Sequence, residues 1–218
     1  MVKPVFGYWK YRGLCEPIRY LLYYKNVDFE DFRIPRDGTT WEGIKYNLGL
    51  DFPNLPYYID ENVKLTQSTT ILRYLATKYD LAGKTEEEKL RVSLAEQQII
   101  DFRQKFFNFV IDPNYENIKE QYLKKTKEDL NMIADFLGDR KYLAGEELTY
   151  VDFIAFDIFD SHILFQKTIL DRISPLKVFQ ETIENLPEVK KYRNSSTFCK
   201  WPIVGPYNAW GGAGEMPQ

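Results

Sequence analysis

The sequence predicts an α/β domain followed by an all-α domain, and three observations carry that prediction. Every convincing strand pattern lies at or before Thr66, in the order β-α-β, a connector, then β-β-α. Every apolar pattern beyond Glu86 recurs at helical spacing. Between them, Asp80 to Thr85 is a short polar stretch containing Gly83, which reads as a linker. The expected domains are therefore residues 1-82 and 86-218.

Lys3 to Trp9 is the first expected strand, ending in Gly7-Tyr8-Trp9. Arg12-Gly13 breaks it, and Glu16-Pro17 opens a helix, since proline suits a first helical turn. Ile18, Leu21 and Leu22 form that helix's apolar side. Asp28 to Ile34 is a second strand, Arg36 to Thr40 a polar loop, and Trp41 to Tyr46 a short helical turn. Leu55-Pro56 marks a change of direction, because proline fixes its own φ and pushes the preceding residue into an extended conformation. Tyr57 to Ile59 and Val63 to Thr66 then flank the turn residues Asp60-Glu61-Asn62 as a hairpin. Ser68 is the expected N-cap of a helix carrying Ile71, Leu72, Leu75 and Tyr79 on one side. A helix start just after a strand presents free N–H groups and a positive dipole end, which suits a carboxylate or phosphate.

In the second half, Glu86 to about Ile111 is a long helix with Phe102, Phe106 and Phe109 on one side. Tyr115 to about Phe136 is another. Thr149 and Asp152 have capping-box spacing ahead of VDFIAFDIF, a segment apolar nearly all round, as expected of a central bundle helix. Two further helices are separated by Pro175 and Pro187, and the tail from Trp201, rich in Pro, Gly and aromatics, reads as a wrapped loop.

Composition narrows the function. Of 218 residues, 44% are hydrophobic and 16% aromatic, enough for a large buried core. A net charge of −3 with mixed signs argues against nucleic-acid binding. No apolar run approaches the roughly eighteen residues of a membrane span, and MVKPVFGYWK lacks the pattern of a signal peptide, so a cytoplasmic protein is expected. Two cysteines, Cys15 and Cys199, make neither a disulfide framework nor a metal site. The single histidine, His162, leaves little material for histidine catalysis.

An α/β half of this order resembles a thioredoxin-like domain, yet Cys-x-x-Cys is absent and Cys15 stands alone. Tyr8, at the end of the first strand, is the candidate replacement, because a phenol can donate a hydrogen bond to a bound thiolate. Lowering a thiol pKa by about two units takes about 2.7 kcal/mol. One charge-assisted hydrogen bond, about 1.5–3 kcal/mol, is of that size. The same tyrosine could instead be a core residue capping a backbone group.

GYW at Gly7–Trp9, LGLDFPNLPYYID at Leu48–Asp60, KLTQS at Lys64–Ser68 and TYVDF at Thr149–Phe153 resemble the mu-class glutathione S-transferases over essentially the whole chain. That resemblance implies a thioredoxin-like domain joined to an all-helical one, and conjugation of glutathione to small hydrophobic electrophiles. Glutathione would be a co-substrate, with no true cofactor and no metal. Tyr8 would face the glutathione sulfur, with Trp9 and Leu14 beside it. Leu55 would pair through its backbone with the cysteinyl part, ahead of a cis Pro56. Gln67 and Ser68 would hold the γ-glutamyl carboxylate, while Trp41, Lys45 and Asn54 would hold the glycyl end. Asp101 would reach the γ-glutamyl amine of a neighbouring subunit in a homodimer; alternatively it is a surface ion pair with Lys105. Phe52 would be an aromatic key inserted between the partner's helices, and Arg73 would pair across the interface, with Glu96 as its candidate acid. The electrophile pocket would use Trp9, Leu14, Arg103, Gln104, Ile111 and the tail from Val204 to Tyr207. Two departures stand out. Ile111 occupies the position where many mu-class members carry a second tyrosine, which implies weak activity toward epoxides and enones. The Arg36–Thr40 loop is shorter than in mammalian members. Two other readings share this fold: a ligand-binding or structural protein without catalysis, and a glutathione-dependent isomerase.

Overall fold

A computed structural model describes residues 2–212 and 214–216. Four strands form one sheet in the order β2-β1-β3-β4, where β1 is Val5–Trp9, β2 Glu30–Ile34, β3 Tyr57–Ile59 and β4 Lys64–Thr66. β1 and β2 run parallel, joined by helix α1 (Glu16–Tyr24), and β3 and β4 are an antiparallel hairpin laid against the other side of β1. Gly7 sits opposite Tyr57 in this register, and a Cβ there would fall 2.1 Å from the Tyr57 ring. The glycine is therefore what lets Tyr57 lie across β1. Asp60 closes the hairpin by accepting the Asn62 and Val63 amides at 2.8 and 3.0 Å. Its other oxygen takes the Tyr74 hydroxyl and the Lys78 ammonium of the helix that follows.

That helix, α3 (Ser68–Lys78), differs from expectation at its start. Gln67, with φ 71° and ψ 113°, is the N-cap, and Ser68 is the first helical residue. The chain has to reverse sharply out of β4, so the residue at the corner takes a left-handed backbone that a non-glycine residue adopts only under constraint. The Trp41 segment is the short helix α2 (Thr40–Ile44).

The second half is helical among its described residues: α4 (Glu86–Ile111), α5 (Tyr115–Leu137), α6 (Tyr150–Phe165), α7 (Ser174–Glu184) and α8 (Pro187–Arg193). Pro175 and Pro187 each lie in the first turn of a helix, which is where they cost least. α4 starts with a reciprocal capping box: the Thr85 hydroxyl accepts the Glu88 amide and Glu88 accepts the Thr85 amide. The shorter acid Asp152 does the same for α6, taking the Thr149 amide at 2.7 Å and also the Leu143 amide at 2.8 Å. α6 is buried from Tyr150 to His162, with α1 and α4 packed on it, so it is the axis on which the halves meet. The tail holds no helix among its described residues.

Candidate active site

Parallel pairing of β1 with β2 carries Tyr8 to the end of the sheet, where the turn Arg12–Gly13–Leu14 folds back over it. Tyr8 is 5% exposed. Its hydroxyl accepts the Leu14 amide at a long 3.4 Å, and its ring meets Tyr11 edge-on at 5.5 Å. Burial first, then the Cys15 thiol and the Tyr11 phenol, push the Tyr8 phenol well above its ordinary pKa, so it stays protonated. A protonated phenol is a donor. Its proton is left for a ligand or for the neighbouring Tyr11 hydroxyl.

Gly13 makes this geometry possible. It has φ +52°, and a Cβ on it would lie 2.5 Å from the Tyr8 hydroxyl. Its amide donates to the Ile203 carbonyl at 2.9 Å, which fixes the turn to the tail. The Arg12–Gly13 break in the sequence is the signal for this residue; its steric role against Tyr8 is not legible without the fold.

Around Tyr8 the other expected residues divide. Trp41 is buried and stacks with Tyr57 at 6.2 Å. Lys45 caps α2 on the same side, but its ammonium is paired with Glu42 and lies over Tyr46, so it has to leave Glu42 to meet a carboxylate. The Leu55–Pro56 bond is cis. The Leu55 amide, expected to be free for a peptide, instead donates to Asn54 Oδ1 at 2.9 Å. An asparagine beside a strand edge readily satisfies the next amide with its own side chain, so Asn54 must rotate before Leu55 can pair with a ligand. Gln67 is exposed at the corner and Ser68 is buried beneath it at the N-terminus of α3. Asp101 is exposed on α4; the alternative pairing with Lys105 does not form, because Lys105 binds Asp129 at 2.8 Å.

The electrophile-pocket residues are gathered less completely. Trp9 and Leu14 are half-buried and pack against the core beside Tyr8, and Val204 is buried in the tail. Arg103 is buried with Nη1 unpartnered, and desolvation lowers its pKa, against the Asp157 and Glu96 carboxylates and the nearby Cys15 and Tyr8. Gln104 instead turns along α4 to Asn108 at 2.8 Å and is exposed. Ile111, the last residue of α4, is 55% exposed. Gln104 and Ile111, seven residues apart, share one face of α4, and that face is exposed, whereas Arg103 lies on the buried side.

One interface expectation is corrected. Arg73 Nε donates to Glu96 Oε2 at 2.8 Å within the same chain, and Glu96 is buried and also accepts the Tyr150 hydroxyl. Arg73 of α3 thus reaches across to Glu96 of α4 within one chain, where the expectation puts this acid opposite the partner's arginine. Phe52 is 74% exposed, and Cys15 and Cys199 are both free thiols. No cluster of metal-binding side chains occurs among the described residues.

Two family models match the chain, the N-terminal domain of glutathione S-transferase over residues 4–77 and the C-terminal domain over residues 100–196. A class-mu 26 kDa glutathione S-transferase from Fasciola hepatica is 42% identical, covering 97% of both chains. The chain belongs to the mu-class glutathione S-transferases. Glutathione S-transferase Mu 1 of Rattus norvegicus is 40% identical over 94% of this chain and 97% of its own. The crystal structure of the glutathione S-transferase Blo t 8 superposes with a TM-score of 0.88 at 31% identity, covering 95% of this chain and 99% of that one. Within this mu-class chain, Tyr11 and Arg36 are the site neighbours that sequence reasoning passed over. The signal for them lay in the parallel register: Trp9 pairs with Ile34, so Tyr11 and Arg36, each two residues further on, leave the sheet together.

Proposed function

We infer that the protein is a glutathione transferase that binds reduced glutathione, holds its sulfur as a thiolate and conjugates it to small hydrophobic electrophiles. The observation that carries this is the buried, protonated Tyr8 hydroxyl. It receives the Leu14 amide and so has its own proton to give. A neutral phenol gives a hydrogen bond to S⁻ that a thiol sulfur does not accept as strongly, so binding lowers the thiol pKa and the proton leaves to solvent. The thiolate then attacks the electrophilic carbon; a carbon–sulfur bond forms, and the leaving group departs with its electron pair. Trp41, Lys45, Asn54, Leu55, Gln67 and Ser68 orient the tripeptide, which supplies the proximity part of the rate. In detoxification terms, the electrophile class is set by the apolar wall of Trp9, Leu14 and Val204.

The division at residues 1-82 and 86-218 assigns thiol binding to the first domain and the electrophile pocket to the second. The working form is a homodimer in the cytoplasm. Its support is a cavity of about 180 Å³ between α4 and α5, walled by Leu94, Ile99, Met132 and Phe136, which is open on the surface and suited to an aromatic side chain. Phe52 of a second copy is the occupant, and burying it contributes about 1.5–3 kcal/mol per subunit. Asp101 then serves the partner's glutathione. Among the described residues no helix is long and apolar enough to cross a membrane.

The test is the ultraviolet absorbance of bound glutathione thiolate across pH for wild type and Tyr8→Phe. The apparent thiol pKa falls on binding to wild type and returns by about two units in Tyr8→Phe, with glutathione still bound. Glutathione bound to wild type without a pKa change makes the protein a carrier instead.

A further inference from the structure

At the mouth of the site stands a cation with no acid. Arg36 leaves β2 beside Tyr11, and its guanidinium carbon lies 4.9 Å from the centre of the Trp9 ring and 5.0 Å from that of Tyr207. Its Nη1 donates to the Tyr11 hydroxyl at 3.4 Å, and the Tyr11 ring in turn abuts Tyr8. Gly205 keeps this corner open, since a Cβ there would come within 3.3 Å of the Tyr11 hydroxyl and 3.4 Å of Arg36 Nη1. Three separate segments, the end of β1, the end of β2 and the tail, thus converge on one guanidinium.

No carboxylate lies within ion-pairing distance of Arg36 among the described residues. The adjacent acid is otherwise engaged: Asp37 accepts the Thr39 and Thr40 amides at 2.9 and 2.8 Å at the start of α2. A guanidinium has five donors in a planar fork, and only one is used by protein here. Two aromatic faces, Trp9 half-buried and Tyr207 80% exposed, lie against the guanidinium, and its remaining donors are open to a planar anion. Arg36 is exposed, and its contacts with the Trp9 and Tyr207 rings restrict its rotamers relative to a surface arginine without such neighbours.

We propose that Arg36, supported by Tyr11, is a specificity-determining residue that makes the electrophile pocket favour substrates carrying a carboxylate on an apolar or aromatic body. This rests on the transferase reading above and adds to it the charge of the second substrate. The guanidinium fork grips the carboxylate, the Trp9 and Tyr207 rings cover the apolar body, and the reactive carbon is left toward Tyr8 and the thiolate.

The test uses 4-chloro-3,5-dinitrobenzoate and its methyl ester, in which the same ring carbon loses chloride to the thiolate and only the charge differs. Steady-state constants are measured for wild type, Arg36→Ala and Arg36→Lys, with glutathione varied separately. Arg36→Ala raises KM for the benzoate by about tenfold and leaves the ester within about twofold, the size of one partly exposed charge-assisted contact. Arg36→Lys falls between, because the charge remains while the fork and the stacking are lost. Added salt narrows the wild-type preference for the benzoate. The proposal is overturned if the benzoate-to-ester ratio is the same in wild type and Arg36→Ala, or if the only constant that moves is KM for glutathione, which would give Arg36 to the tripeptide. If wild type conjugates neither compound, the transferase reading fails on its own. The anion site is then still decided by titrating unreactive 3,5-dinitrobenzoate against its methyl ester, read by quenching of tryptophan fluorescence, with loss of the difference in Arg36→Ala as the supporting result and no difference in wild type as the refuting one.

Discussion

Two polar clusters lie on either side of the Arg12–Leu14 turn, and they are built on opposite principles. On the buried side, Arg12 binds Asp160 at 2.5 Å and the carbonyls of Cys199 and Lys200 at 2.8 and 3.1 Å. Arg193 shares Asp160 at 2.9 Å, Arg19 holds Glu16 and Asp31, and Glu16 takes the Tyr192 hydroxyl at 2.6 Å. Nearly every charge there is spoken for, and the network ties α1 of the first half to α6, α8 and the tail. On the open side, Tyr8 has a single long contact and Arg36 a single donor in use. Paired charges in a dry interior hold a shape; polar groups left short of partners are the ones with interaction energy to spend on a ligand. Two buried atoms blur the boundary because they have no hydrogen bond: Asp157 Oδ1, which stands 3.9 Å from Arg12 Nη1, and Arg103 Nη1.

The contrast breaks most visibly at Arg12. Arg12→Ala leaves Asp160 Oδ2 and two carbonyls without their donor and destabilises the fold by about 3–5 kcal/mol, read as a shift in denaturant midpoint. Tyr8→Phe, equally buried, is expected to change stability by less than about 0.5 kcal/mol while removing about 2.7 kcal/mol of thiolate stabilisation. If Tyr8→Phe unfolds the protein instead, the open side is structural and the contrast is false. Gly13→Ala sits between them: a left-handed backbone and contact with the Tyr8 hydroxyl cost about 1–3 kcal/mol, and the thiol pKa shift is lost along with it.

Asp157 sharpens the comparison through pH. Desolvation pushes its carboxyl up to about 7, against the pull of Arg12. A folded pKa above the unfolded value of about 3.9 means that the folded state holds the extra proton between those values. Its contribution is thus complete in acid and is lost as pH rises through about 7. Asp157→Asn is expected to flatten stability against pH across that window, seen in urea melts at several pH values. An unchanged slope would show that the boundary acid does not titrate there. Smallest of all, Lys45→Ala gives up a surface pair with Glu42 that adds little to the fold, so its effect is confined to a several-fold weaker grip on glutathione.

Much of this was legible from residues because local rules agreed with the global fold. Period-two and helical patterns located the strands and helices, Pro17 marked a helix start, Pro175 and Pro187 signalled only breaks, and Thr149 with Asp152 announced the buried helix. What failed were decisions made by competition between neighbours. Ser68 is the better capping residue by type, yet the corner out of β4 gives the position to Gln67. Asn54 takes the amide of Leu55, and Glu96 is used by its own chain. Arg36 escaped notice because a lone arginine in a polar loop looks solvated until the strand register brings Tyr11, Trp9 and the tail around it.

The tail carries one more consequence. Gly13 hands its amide to Ile203 and Arg12 to Pro202, while Ile203 and Val204 are pinned by the Gly211 carbonyl. The turn that shapes the thiol site, in the sheet half, is therefore latched by a segment that follows the helical half. A nascent chain can form its sheet before the helices follow, yet the turn at its reactive centre is not latched until Pro202 to Gly211 has emerged. A chain cut shortly before Trp201 keeps β1–β4 and α1–α8 but loses the latch, so it should fold while failing to activate the thiol.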